Sequence, residues 1–88
     1  MSVEFKIIAL ASDMDYDAIV VERSNLLIER MKMDKFFSMF LDKFEKKMSP
    51  EATDTPIWKL YKTKLKEYES IQRAIKLSDY YLKKVANV

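Results

Sequence analysis

From Pro56 to Ala86 apolar residues recur every three or four positions with no further proline and no glycine, which predicts one long amphipathic helix. Thr55-Pro56 supplies its start, because a hydroxyl at the N-cap accepts a backbone N–H and proline at the next position lacks a donor that would be orphaned there. At about 100° per residue, Ile57, Tyr61, Leu65, Tyr68, Ile71, Ile75, Leu82 and Ala86 share one packing stripe, with Leu60 and Val85 beside it. Lys59, Lys62, Lys66, Arg73, Tyr80 and Lys84 form a basic row almost directly opposite, interrupted by Leu77. A helix of about 31 residues is roughly 46 Å long, whereas a compact 88-residue chain is only about 30 Å across. The ends of this helix therefore need cover, from another long helix of the chain or from a second copy.

The preceding segment, residues 15–48, also reads as helix. Asp13, Asp15 and Asp17 lie where an N-cap and first-turn carboxylates favour the positive end of the helix dipole. Val20, Ser24, Leu27, Ile28 and Met31 make its main stripe. Beyond Met31 the apolar azimuth turns by more than about a third of a circle, to Met33, Phe37, Phe40, Leu41, Phe44 and Met48. A break near Lys32 to Asp34 explains that turn, with Asp34 capping a second helix. A continuous helix whose halves face different neighbours explains it too, and Ile19, Leu26 and Met33 extend the second stripe backwards in its favour. Continuity is preferred, since no proline or glycine marks a stop.

Residues 1–14 form an N-terminal arm with two readings. Val3, Phe5, Ile7 and Ala9 alternate as in a strand, which would pair with Ala18 to Glu22 in a hairpin; Val3, Ile7, Leu10 and Met14 follow a helical step. Residues 49–55 are the one linker, and with Pro56 they hold both prolines and several cap formers in eight residues. A short connection makes the two long helices antiparallel neighbours. The expected fold is thus a single mainly α domain over residues 1–88, with its C-terminal helix at 56–87. In its core Phe37, Phe40, Phe44 and Met48 face Ile57, Tyr61, Leu65 and Tyr68.

Composition fits this picture. The 88 residues are 49% hydrophobic, with no glycine and no cysteine. Turns, bulges and phosphate-cradling loops favour glycine, and a mostly helical chain needs it least. The absence of thiols suits a reducing compartment, no apolar run reaches a membrane span, and no leader pattern is evident. A cytoplasmic protein is expected. The net charge of +2 divides unevenly, residues 1–31 carrying three bases and six acids and residues 32–88 thirteen bases and eight acids.

Candidate chemistry is sparse. Histidine and cysteine are both absent, so the commonest general base, thiolate nucleophile and soft metal ligands are missing. No catalytic activity, cofactor or metal is expected. Asp13-x-Asp15-x-Asp17 opens like a calcium loop, but its sixth position is Ala18 and its twelfth Ser24, where such loops use glycine and glutamate. First-turn carboxylates account for it better.

Two function classes remain. The leading expectation is a small non-enzymatic binding protein of accessory, inhibitory or regulatory type that dimerises or docks on a protein partner. Its contacts are expected at the off-stripe apolar residues Trp58, Leu77, Tyr81, Phe36 and Met39. A short, Lys-rich, glycine-free chain of this kind would suit a phage or mobile element. The alternative is nucleic-acid binding through Lys59, Lys62, Lys66, Arg73, Tyr80 and Lys84, the lysines tracking phosphates and the tyrosine stacking on a base. With thirteen of sixteen bases lysine, bidentate phosphate recognition is under-supplied.

Overall fold

The computed structural model describes residues 2–48, 50–51 and 54–86, and within them the regular structure is all helical. Helix α1 spans Val3–Ser12 and α2 spans Tyr16–Phe44, continued by a 3-10 turn at Glu45–Lys47; α3 spans Pro56–Ala86. No strand occurs among the described residues. The strand and hairpin readings of the N-terminal arm are thereby overturned. Ala18 to Glu22, the only segment suited to pair with the arm, lies inside α2, and a lone strand would leave its backbone groups unsatisfied.

Each helix starts on a side-chain cap. The Ser2 hydroxyl accepts from the Phe5 N–H at 3.2 Å, the Asp15 carboxylate from Ala18 at 3.3 Å, and the Thr55 hydroxyl from Trp58 at 3.4 Å. Pro56 then occupies the first helical position of α3, as its missing donor allows. Of the aspartate triplet, Asp15 is the N-cap and Asp17 lies in the first turn.

The turn between α1 and α2 is tight. Asp15 N–H donates to the Leu10 carbonyl at 2.9 Å and Met14 N–H to Ala11 at 3.1 Å, the paired bonds of a Schellman termination. The residue that must take the left-handed conformation is usually glycine. Here it is Met14, at φ 56°. Three residues, Asp13 to Asp15, thus reverse the chain and return α2 beside α1.

α2 is unbroken through positions 32–34. Asp34 starts no helix; it faces Tyr68 of α3 closely enough to hold the phenol above its ordinary pKa. Contacts between the long helices run in opposite order along the two. Arg23 pairs with Asp79, Arg30 with Gln72, Phe37 with Tyr68 and Tyr61, and Phe40 with Tyr61. The expected aromatic packing is present, with Phe37 5.7 Å from both Tyr61 and Tyr68 and Phe40 6.0 Å from Tyr61. α2 therefore lies along α3 and supplies the cover that its length demands. The result is a rod, 52 × 21 × 18 Å with a radius of gyration of 16.5 Å, against about 12 Å for a compact chain of this size.

α1 covers the rest of the core. Ile7 is fully buried, and Val3 packs on the cluster of Leu26, Ala74 and Ile75. Glu4 accepts from Arg73 of α3 at 2.8 Å, and Lys6 pairs with Glu22 of α2 at 3.0 Å. Ser70, Ala74 and Ser78 recur every four residues on the flank of α3, and small side chains there let a neighbouring helix approach closely. Ala74 and Ser78 are fully buried, and the Ser78 hydroxyl is satisfied by donating to the Ala74 carbonyl at 2.8 Å.

The core follows the second stripe along the whole of α2. Ile19, Leu26 and Phe40 are the buried residues of α2, and Met33, Phe37 and Phe44 are half-buried with them. Of the first stripe, Leu27 is half-buried and Val20, Ser24, Ile28 and Met31 are exposed. The backward-extended second stripe wins because it meets α3 and α1 along the helix, whereas of the first stripe Leu27 alone packs against the core cluster of Leu26, Ala74 and Ile75.

Candidate functional site

The sequence-predicted contact residues fall at two ends of the rod. Trp58 and Phe36 are half-buried in an aromatic cluster near the start of α3, Trp58 5.8 Å from Tyr61 and Phe36 5.5 Å from Phe40. Nζ of Lys64 lies 5.8 Å from the Phe36 ring centroid. Leu77 and Tyr81 are half-buried on the flank of α3 that includes Ser78. Nineteen residues separate Trp58 from Leu77, about 28 Å of helix, so these residues do not share one surface. Met39 differs from the other four in being 71% exposed, on α2.

The basic row is exposed at Lys59, Lys62 and Lys66. Further along it changes character. The Arg73 guanidinium is engaged by Glu4, and Nζ of Lys84 lies 5.2 Å from the Tyr80 ring centroid, with Tyr80 5.4 Å from Tyr81. Hydrogen bonding to the Tyr80 hydroxyl holds the Lys84 ammonium above the ordinary lysine pKa. α1 thus places an acid on the row, and the tyrosine meant to stack on a base already has neighbours within the chain.

A different surface emerges on α2. Val20, Val21, Ile28 and Met31 are between 49% and 66% exposed, and at helical spacing they share one face with Ser24 and Met39. This face is centred about half a turn from the buried stripe of Ile19, Leu26 and Phe40. Asp17 bounds it at one end, and Lys32 and Lys35 lie towards the other. Its signal is present in the sequence as the main apolar stripe of this helix, to which no partner is assigned there.

Across the long helices runs a polar chain. Arg30 donates to the Gln72 amide oxygen at 3.0 Å, and the Gln72 amide donates to the Tyr68 hydroxyl at 3.4 Å. The Tyr68 hydroxyl in turn bonds to Asp34, and that bond, together with burial, raises the phenol above its ordinary pKa of 10.0. All four residues serve pairing between the helices. Among the described residues no group of three or more acidic side chains is placed to hold a metal ion, and no helix is long and apolar enough to cross a membrane. Comparison with protein-family models, curated proteins and solved structures finds no match for this chain.

Proposed function

We propose that this chain is a small non-enzymatic helical binding protein of the cytoplasm, an accessory or regulatory type, acting by protein–protein contact. In this reading α2 and α3 are an antiparallel pair that serves as a rigid rod, and α1 locks them together. The outer face of α2 is the docking surface. The observation that carries it is the exposed set Val20, Val21, Ile28 and Met31 on one side of a helix whose other side already has its core partners. Exposed contiguous apolar faces on small proteins mark interaction sites. The absence of histidine and cysteine supports the non-enzymatic part.

Photo-crosslinking tests the reading. With p-benzoylphenylalanine at position 28 of the chain in its own cells, a protein adduct should form and should be lost when Met31→Glu is added. Absence of an adduct, or one indifferent to Met31→Glu, refutes protein docking on this face.

Nucleic-acid binding is the second reading, favoured by the exposed Lys59, Lys62 and Lys66. It ranks lower because Arg73 is engaged by Glu4 and so contributes less to the row.

A further inference from the structure

We infer that the occupant of the outer α2 face is a second copy of this chain, docked antiparallel through the same face. This deepens the protein-binding reading above and rests on it. The face is palindromic about position 26. Setting Asp17 of one copy opposite Lys35 of the other also sets Val21 opposite Met31 and Ser24 opposite Ile28. Large meets small at the centre, Val21 meets Met31 on either side, Val20 meets the aliphatic stem of Lys32, and opposite charges meet at both ends. That self-complementarity is what a two-fold interface requires, since each contact must occur twice.

Charge selects the direction. A parallel copy would stack Asp17 on Asp17 and Lys35 on Lys35, and facing like charges are destabilising. Among the described residues neither Asp17 nor Lys35 has an ion-pair partner within the chain. Lys32 is drawn to Glu29 at 3.6 Å, both side chains remaining exposed.

Area points the same way. The chain exposes 6705 Å² at a mass of 10.5 kDa, whereas a compact monomer of that mass exposes about 5,400 Å². The excess, about 1,300 Å², is more than the roughly 800 Å² that each partner contributes to a standard interface. Twelve large apolar residues are exposed among those described, against six buried hydrophobic ones. Five of the twelve, Val20, Val21, Ile28, Met31 and Met39, lie on this face.

The lack of native cysteine makes a clean test available. Asp17→Cys and Lys35→Cys are prepared as separate chains and treated with a short bismaleimide, alone and mixed in equal amounts. In the antiparallel pair, like positions lie eighteen residues apart, about 27 Å along the helices. The mixture should therefore give a covalent dimer and neither variant alone should. By light scattering the wild-type chain should have twice its 10.5 kDa mass at both low and high salt. Ile28→Glu should halve that mass while circular dichroism shows its helicity unchanged.

Crosslinking of either variant alone, or a monomer at every concentration, overturns the inference. A mixture that does not crosslink, combined with a photo-adduct at position 28 in cells, overturns the second copy and leaves docking on another protein standing. Failure of both experiments overturns both.

Discussion

Met14 is the most direct test of the turn that brings α1 onto the long helices. Its φ of 56° is left-handed, a conformation that costs a residue with a Cβ about 1–2 kcal/mol. Glycine carries no such strain, but its freer unfolded chain returns about 0.5–1 kcal/mol of the gain. The Met14 side chain is 76% exposed, so little packing is lost with it. Met14→Gly should therefore stabilise the fold by about 0.5–1 kcal/mol. With a urea slope of about 1 kcal/mol/M for a small protein, the midpoint should rise by about 0.5–1 M at unchanged slope. Met14→Val should move it down, because a β-branched residue tolerates left-handed backbone least. A midpoint unmoved or lowered by glycine would refute the strained turn, and with it the Schellman account of how α1 ends.

Tyr68→Phe should flatten the alkaline loss of stability. The Tyr68 pKa is raised in the fold above 10.0, so its contribution is complete below pH 10 and lost as pH rises through the folded value; equal slopes for wild type and variant in denaturation above pH 10 would count against the Asp34 bond. Ile7→Ala should cost about 2–4 kcal/mol in urea denaturation, since the side chain is fully buried; a loss below about 1 kcal/mol would mean that α1 docks loosely. Lys62→Glu with Lys66→Glu should leave oligomeric mass unchanged and abolish any affinity for single-stranded DNA. If nucleic-acid binding exists and uses Lys59, Lys62 and Lys66, its logarithmic salt slope should be about −2, and a salt-independent affinity would exclude that row.

Much of the architecture can be read from local signals. Thr55-Pro56 fixes the start of α3 because both residues act on their own backbone, and the 31-residue length of that helix follows from uninterrupted spacing. Facing of Phe37 and Phe40 with Tyr61 and Tyr68 follows from a short linker between long helices. The N-terminal arm is different, because apolar alternation and a 4-3 helical step coincide over Val3 to Leu10. Its choice is made by tertiary context: among the described residues there is no strand to pair with it, while a row of small residues on α3 accepts a helix. Ser70, Ala74 and Ser78 carried that information at four-residue spacing, but they are polar or small and do not register as part of an apolar stripe.

The azimuth of α2 holds the same lesson for function. A helix with two apolar stripes needs two neighbours, and periodicity reports the need without saying who meets it. α3 runs the length of the stripe that includes Ile19, Leu26, Phe37 and Phe40, so that stripe becomes core. Val20, Ile28 and Met31 lose that competition within the chain, and the α1 turn, reversing at Met14, carries α1 to α3 and to Glu22 instead of across them. Their apolar character then has no use in the monomer, where an exposed helix face is served equally well by lysine or glutamate. Substituting Ile28 by glutamate is accordingly expected to leave the monomer's own packing intact, and this separates an interface residue from a core one: Ile7→Ala should lower the stability of the fold, Ile28→Glu should only lower the oligomeric mass.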